Sequence, residues 1–407
     1  MRSIVVGTFF VLLFFVYGFY VSQSDIQIIP PEIEQENPPG FYDYKGIANV
    51  QTNLSQGSST PTEVAAEALK TDLDFLILTD VNLMQEHQSL NSYFGKLLVM
   101  SEAEYTFLDS RVLFISDTGA HGFTSAGDIN LFMTDILSQP PTLSRDGIAI
   151  HAHPFDRGNP TWTGAYPTGL QGLEILNPKS MAAKAFANSK LDVLWSSLFY
   201  FFDSRYAFLR LFREPLEELA LWDKIGEERP FYGFAGANAS ARAIPLADYL
   251  IKFPSYQKSL EVVANHIILP SELTGNYQKD RAKIVKALKS GQFYFSVDLL
   301  GNPKGFNTLV LDGEKNYLMG SKIPFKPGLK LQARIGRAPE AFYEMVLIKN
   351  GQREKTVNVP NLEFEIKEPG TYRIIVRVSP VFPLPDAKKW ITWIYSNPFF
   401  VGARSGL

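Results

Sequence analysis

The stretch "IANVQTNLSQGSST", residues 47–60, begins the pattern that decides the fold. A helix-like segment and a second apolar run, "EVAAEALKTDLDFLILTDVN" (residues 63–82), follow it. Asn49, Gln51 and Gln56 have the spacing of an opening metal-binding motif, although amides are poor metal ligands. The stretch is therefore a lost metal site, a site of another kind or a coincidence.

The composition excludes several classes of function. The chain has 407 residues, of which 45% are hydrophobic and 20% charged, enough for a large core and two domains. Its net charge of -3 provides no basic field for nucleic acid. Because the chain has no cysteine, disulfides, thiolate metal sites, cysteine nucleophiles and lipoprotein acylation are all excluded.

Residues 1–24 are typical of a membrane anchor. After Arg2, residues 4–22 form an uncharged apolar run, close to the ~20 residues that span a bilayer. The run is longer than a secretory signal requires and has no small-x-small cleavage site, so we expect an anchor, with a cleaved signal as the alternative. A Pro- and Glu-rich linker (25–40) follows. The basic N-terminus would stay inside, leaving the main domain extracytoplasmic, in the periplasm or at the cell surface.

Residues 41–300 alternate between apolar runs and helical patterns. Runs of this kind are typical of strands buried on both faces of a parallel sheet, and polar residues follow each of them. Helical patterns cover residues 62–73 and 126–137. The alternation predicts a (β/α) barrel with its chemistry at the carboxyl ends of the strands. The runs are residues 75–78, 96–100, 112–115, 147–150, 173–176 and 231–235.

Two other segments depart from this pattern. Residues 301–407 contain short alternating runs separated by Gly, Pro and Asn, which predicts an antiparallel β-sandwich. Residues 191–211 are apolar and aromatic but are interrupted by charges. They form either a buried helical pair that covers the barrel or an amphipathic helix that touches the bilayer beside the anchor.

Polar motifs follow the apolar runs in a definite order. They are Asn49-Val50-Gln51, Ser55-Gln56-Gly57, Thr79-Asp80-Val81-Asn82, Glu102 in "MSEAEYTF", Arg111 ahead of "VLFI", His153-Pro154 in "AIHAHPFD" and Gly236-Ala237-Asn238-Ala239-Ser240. In this order and spacing, residues 41–300 resemble the polymerase and histidinol phosphatase (PHP) family, especially its exported phosphoesterase-like members. The resemblance implies a distorted (β/α)7 TIM-like barrel, a C-terminal antiparallel β-sandwich and an ancestry in metal-dependent phosphoester hydrolysis.

The resemblance also implies that most metal ligands are lost. Only Glu102 and His153 keep the residue type that the family uses. Amide, valine, serine and arginine side chains hold Zn²⁺, Mn²⁺ or Fe poorly, so we expect no cofactor, or at most one such divalent ion at Glu102, His153 and Glu174. The former metal positions with other residues are Asn49, Gln51, Gln56, Val81, Arg111, Asn238 and Ser240.

The substituted pocket has two interpretations. Arg111, Asn49, Gln51 and His151 form a polar receptor for a phosphate or carboxylate. Alternatively the cleft is inert and Arg111 pairs with Glu102. His151 and His153 alternate along a strand, so they share one metal or are relics in a core.

The remaining polar residues carry weaker expectations. Asp80 is predicted to cap the following helix. Glu104 and Asp156 are predicted to be exposed, and His121 and His266 have no identifiable partner.

The resulting hypothesis is a non-catalytic protein that binds a small anionic ligand or an envelope protein and does not bind nucleic acid. An active phosphoesterase with a reduced metal set and a structural scaffold are the alternatives.

Overall fold

The computed structural model describes residues 2–30, 40–83, 90–107, 110–117, 123–138, 147–155, 165–246, 249–313, 315–386 and 388–402. The first eight strands are β1 (Tyr42–Val50), β2 (Phe75–Val81), β3 (Ser92–Phe94), β4 (Leu97–Phe107), β5 (Ser110–Ser116), β6 (Gly147–Ala152), β7 (Gly172–Leu176) and β8 (Tyr232–Ala239). The six predicted apolar runs coincide with β2, β4, β5, β6, β7 and β8, whereas β1 and the short β3 have no counterpart among them.

Several helices begin at side chains that cap them. Thr60 and Glu63 form a capping box at the start of α2, and Asn177 caps α4 ahead of Pro178. The helices are α1 (Arg2–Ser22), α2 (Pro61–Ala68), α3 (Ala126–Ser138), α4 (Pro178–Asn188), α5 (Lys190–Phe199), α6 (Ser204–Leu211), α7 (Leu216–Glu228), α8 (Tyr256–Leu260) and α9 (Tyr277–Lys289).

Seven strands close into a barrel in the order β1, β2, β4, β5, β6, β7, β8. Closure is made by parallel pairing of β1 with β8, where Ala48 lies opposite Gly236. The prediction of an all-parallel barrel is wrong at β5, which runs antiparallel to both β4 and β6. Since β4 ends at Phe107 and β5 starts at Ser110, no crossover helix fits between them. The barrel is therefore mixed.

The sheet continues beyond the barrel. β11 pairs with β1, β12 pairs with β11, and β21 and β20 carry the sheet into the C-terminal region. A separate four-stranded sheet contains β14, β13, β16 and β19. The strands are β9 (Arg242–Leu246), β10 (Tyr249–Phe253), β11 (Ala264–Leu269), β12 (Phe293–Ser296), β13 (Asn307–Asp312), β14 (Lys315–Leu318), β15 (Lys322–Ile323), β16 (Lys330–Arg334), β17 (Phe342–Lys349), β18 (Gln352–Val357), β19 (Asn361–Glu365), β20 (Gly370–Ser379), β21 (Ile391–Ser396) and β22 (Phe399–Val401).

The two C-terminal sheets touch each other. Phe364 of β19 lies 6.3 Å from Tyr372 of β20, measured between ring centroids. Additional C-terminal sheets therefore follow the barrel, as the alternating pattern indicates. A domain boundary near residue 300 stays a prediction, because one sheet runs from the barrel into this region through β12 and β21.

Helix α1 contains the apolar run Ile4–Ser22, whose mean hydropathy of 2.4 and length of 19 residues suit a membrane span. Length and composition agree equally with an anchor and with a signal sequence. Its aromatic side chains also pack against the main body, where Tyr17 lies 4.9 Å from Phe199 between ring centroids.

His266 has partners that the sequence did not reveal. Its Nδ1 lies 2.9 Å from Asp43 Oδ1 and its Nε2 lies 3.3 Å from Asp298 Oδ1. Asp298 also pairs with Lys45 at 2.7 Å. The sequence alone does not identify these partners, because β1, β11 and the turn after β12 bring the residues together from distant segments.

Candidate functional site

The site lies where the barrel strands end, on the face that the sequence predicted. Asn49, His153 and Asn238 have positive φ angles of 61°, 51° and 46°. Such angles cost little for asparagine and more for other residues with a Cβ. Gly236 is also required, because a Cβ there would overlap the Glu174 carboxylate. The strand ends are therefore shaped to bring side chains together over the barrel.

His153 lies between two buried carboxylates. Its Nδ1 is 3.0 Å from Glu174 Oε2, and its Nε2 is 3.6 Å from Glu104 Oε1. Burial by itself would lower the pKa of His153, but the two carboxylates outweigh it and raise that pKa to about 10. The raised pKa favours the imidazolium form at neutral pH, whose charge neutralises part of the acidic charge.

Amide groups supply the remaining hydrogen bonds to these carboxylates. Asn49 Nδ2 donates to Glu174 Oε1 at 2.8 Å, and Asn177 Nδ2 donates to Glu174 Oε2 at 2.7 Å. Gln51 Nε2 donates to Glu104 Oε2 at 2.8 Å. Burial opposes ionisation of both acids, yet His153 with Asn177 and Asn49 holds the pKa of Glu174 below its usual range. His153 with Arg111 does the same for the pKa of Glu104. The acids therefore stay charged.

The same amides leave two buried oxygens without partners. Asn49 Oδ1 and Gln51 Oε1 have no hydrogen bond in the structure. Because each NH₂ group is committed to a carboxylate, the orientation of each amide is fixed and its oxygen remains an acceptor. The floor of the site can therefore accept hydrogen bonds from a ligand or from water.

Arg111 lies at the edge of this group. Its Nη1 donates to Glu104 Oε1 at 3.0 Å, and its side chain is 26% exposed. The alternative in which Arg111 pairs with Glu102 is wrong, because Arg111 pairs with Glu104 and Glu102 pairs with Arg281. The bond to Glu104 is the one hydrogen bond that the Arg111 guanidinium makes to the described residues, so its other N–H groups have no partner among them.

Glu102 belongs to a different cluster. It forms a buried ion pair with Nη2 of Arg281 on α9 and accepts a hydrogen bond from the Ser116 backbone at 3.0 Å. The structure therefore brings His153 and Glu174 together but pairs Glu102 elsewhere. The acid beside His153 is Glu104, which is fully buried, so the prediction that it is exposed is wrong. Asp156 and His121 lie outside the described residues.

The described part of the chain contains no group of three or more His, Cys, Asp or Glu side chains arranged to hold a metal ion. The geometry around His153 explains why it does not form such a metal-binding group with its neighbours. Glu174 approaches Nδ1 and Glu104 approaches Nε2, on opposite edges of the ring. One ion cannot bind the imidazole and both carboxylates in this arrangement.

The other predicted positions are spread around the site. His151 is hydrogen-bonded to Tyr166, and burial with the nearby His153 charge lowers its pKa to about 4, so it is neutral. Asn238 Nδ2 lies 3.4 Å from His153 Nδ1. Ser240 is buried, with its backbone oxygen accepting from Tyr256, while Val81 is half-buried and Gln56 is exposed.

Asp80 organises the loop after β1. It accepts hydrogen bonds from the Thr52 backbone at 2.7 Å, from Thr52 Oγ1 at 2.8 Å and from Ser55 Oγ. Residues 84–89, which follow β2, lie outside the described residues, so capping of the following helix by Asp80 stays a prediction. The buried carboxylate fixes the polar loop that follows Gln51, and the hydroxyls at Thr52 and Ser55 were the sequence signal for it.

An apolar cavity adjoins the site. Its volume is about 320 Å³, within the range of small-molecule pockets. Asn238 and Ser240 line one side, and α4, α5 and α6 line the other. The cavity therefore connects Asn238 and Ser240 with the helices α4, α5 and α6.

Comparison with known proteins gives distant likenesses in structure and none in sequence. No family model matches the chain and no curated protein matches it in sequence. The crystal structure of a two-domain protein from Bacteroides vulgatus, described as containing a predicted PHP-like metal-dependent phosphoesterase, superposes with a TM-score of 0.36 and 12% identity. The match covers 89% of this chain and 99% of that chain. The chain is thus distantly similar in structure to a two-domain PHP-like protein.

Proposed function

We propose that this chain is a non-catalytic, PHP-like extracytoplasmic protein that binds a small anionic ligand at the mouth of its former metal site. The observation that carries the proposal is the position of His153 between Glu104 and Glu174. A buried imidazolium there supplies the positive charge that metal ions supply in a hydrolase. The carboxylates are neutralised without a metal, and nothing at this position activates a water molecule.

Arg111 is the group that receives the anion. Its guanidinium uses Nη1 for Glu104 and is partly exposed, so other N–H groups remain for a phosphate or carboxylate. Glu104 itself is satisfied by Gln51 and His153 and does not need the whole guanidinium. This arrangement favours a ligand with one compact anionic group.

Phosphoester hydrolysis on a reduced metal set is the alternative. It requires His153 to lose its proton and turn one ring nitrogen from a carboxylate to a metal ion. An envelope protein that presents an acidic side chain to Arg111 would be a second kind of ligand for the same group.

The test uses the full chain in detergent. We expect metal analysis to find no stoichiometric Zn, Mn or Fe, and no hydrolysis of phosphomonoesters or phosphodiesters with these metals added. Titration calorimetry with inorganic phosphate should show binding that Arg111→Ala abolishes. Arg353→Ala is the matched control, because Arg353 also bonds a glutamate, Glu344, at 3.0 Å but lies in the C-terminal sheet.

Two results would overturn the proposal. Stoichiometric metal that is lost in His153→Ala, together with hydrolysis, would establish the enzyme. Unchanged phosphate affinity in Arg111→Ala, with the protein folded, would exclude the assigned anion receptor.

A further inference from the structure

Helix α1 contacts the main body through its second half. Phe14 lies 5.2 Å from Phe199 and 5.4 Å from Phe202, measured between ring centroids. Tyr17 lies 5.5 Å from Trp195, and a Cβ on Gly18 would lie 2.5 Å from the Phe202 ring. The end of α5 is therefore packed against residues 14–18 of α1.

These contacts fix how deep α5 lies if α1 crosses a bilayer. An α-helix rises 1.5 Å per residue, so Phe14 lies about 12 Å and Gly18 about 6 Å inside the Ser22 end of the apolar span. A span of 19 residues is about as long as the hydrocarbon core is thick. The Phe199 end of α5 therefore lies below the membrane surface, at the depth of an interfacial amphipathic helix.

The segment 191–202, comprising α5 and the turn after it, presents three different faces. Trp195, Phe199 and Phe202 face α1. A second face, with Val193, Ser196, Ser197 and Tyr200, lines the apolar cavity. The third face has the spacing i, i+3, i+7 and i+10, which forms one stripe on a helix. It consists of Leu191, Leu194, Leu198 and Phe201, whose exposed fractions are 77%, 57%, 46% and 73%.

We infer that this stripe is inserted in the lipid bilayer beside α1 and forms a second membrane contact of the protein. Of the two other faces, one contacts α1 and the other lines the cavity. The stripe therefore does not belong to the core of the protein. Its position against the spanning helix identifies the hydrocarbon of the bilayer as its partner. Four large apolar side chains exposed to water would otherwise be costly.

A second segment, which contains Val381 and Leu384, lies at the same depth along α1. Tyr17 Oη donates to the Leu384 backbone oxygen at 2.6 Å, and the Leu384 backbone N–H donates to Tyr20 Oη at 3.2 Å. Leu384 and Val381 are 71% and 61% exposed. Tyrosines at this point agree with the aromatic belt found at membrane interfaces. The bilayer contact therefore includes this loop as well as the stripe.

The absence of cysteine permits a direct test on the full chain in lipid nanodiscs. Single variants Leu194→Cys and Leu198→Cys are labelled with an environment-sensitive fluorophore. Phe10→Cys, on the exposed side of α1, is the membrane reference. Leu131→Cys is the matched aqueous control, since Leu131 is 73% exposed on α3, which packs on β4.

We expect the labels at 194 and 198 to emit at shorter wavelength than the label at 131. Bromine atoms on the lipid chains should quench them as strongly as the label at 10, and aqueous iodide should not. Labels at 194 and 198 that match the label at 131 in both emission and iodide quenching would overturn the inference. Exposed positions tolerate the cysteine, and circular dichroism of each variant checks the fold.

Discussion

Nδ1 of His153 lies 3.0 Å from Oε2 of Glu174 in a site with almost no solvent exposure. A buried carboxylate must be paired and hydrogen-bonded to stay charged. Here the imidazolium provides the charge, and Asn49 and Asn177 provide donors. The amides of Asn49 and Gln51 therefore have a structural role, since they donate hydrogen bonds to the buried carboxylates of Glu174 and Glu104.

Replacement of His153 by alanine should destabilise the fold. It leaves Glu104 and Glu174 as buried charges without their shared cation, a change that costs about 3–5 kcal/mol. Urea denaturation at pH 7 measures the loss as a lower midpoint.

The control for this prediction is a double-mutant cycle. Glu174→Gln combined with His153→Ala removes both charged partners and should cost less than the sum of the single changes. Additive losses would contradict the assigned ion pair.

Replacement of Glu102 by glutamine should reduce stability without changing phosphate binding. The change leaves Arg281, which is only 2% exposed, without its carboxylate, at a cost of about 3–5 kcal/mol. Glu340→Gln is the control, because its pair with Arg337 is exposed and worth less than about 1 kcal/mol. Normal stability with lost phosphate affinity would instead place Glu102 in the ligand site.

The sequence predicts the strands well because each is a continuous apolar run followed by polar residues. Asn49, His153 and Asn238 lie at the carboxyl ends of β1, β6 and β8, where the sequence pattern predicts polar residues. The sequence does not distinguish Glu102 from Glu104, since both alternate on β4 and the choice depends on Arg281, far away in the chain. The antiparallel direction of β5 is also not predicted, because residues 108 and 109 carry no distinctive turn signal.

The partners of His266 and Asp80 are also not predicted, because they come from distant segments of the chain. His266 meets Asp43 only because β11 pairs with β1 in antiparallel register. Asp80 meets Thr52 because β2 lies beside β1. Local patterns hold no information about such pairs. The contacts between α1 and α5 likewise decide which side chains of α5 are exposed, and the sequence does not reveal these contacts.

His266 should make stability fall at alkaline pH. Burial would lower its pKa, but Asp43 and Asp298 outweigh burial and raise the pKa to about 9. A raised pKa stabilises the fold fully below the unfolded value of about 6.5, and this stabilisation is lost as the pH rises through 9. Since one pKa unit corresponds to 1.36 kcal/mol, the effect is on the order of 3 kcal/mol.

The measurement is the urea midpoint between pH 6 and pH 10 for the wild type and for His266→Asn. Lys45, which pairs with Asp298, and Tyr294, whose ring stacks on His266, remain in both proteins. The variant should be less stable at pH 6 and should lose less stability on going to pH 10. An identical alkaline slope in both proteins would show that His266 is not the titrating group.

Replacement of Gly18 by leucine should disturb the contact between α1 and the main body. A Cβ at this position would lie 2.5 Å from the Phe202 ring, so the ring and the end of α5 must move. The matched control is Gly7→Leu in the same helix, where nothing lies within 4 Å of the added Cβ. In nanodiscs, Gly18→Leu should lower the melting temperature and reduce lipid quenching of a label at position 198. Gly7→Leu should change neither, because leucine suits a membrane helix at an open position. Equal behaviour of the two variants would mean that α1 does not pack on α5 in the membrane, and the depth assigned to the α5 stripe would then lose its basis.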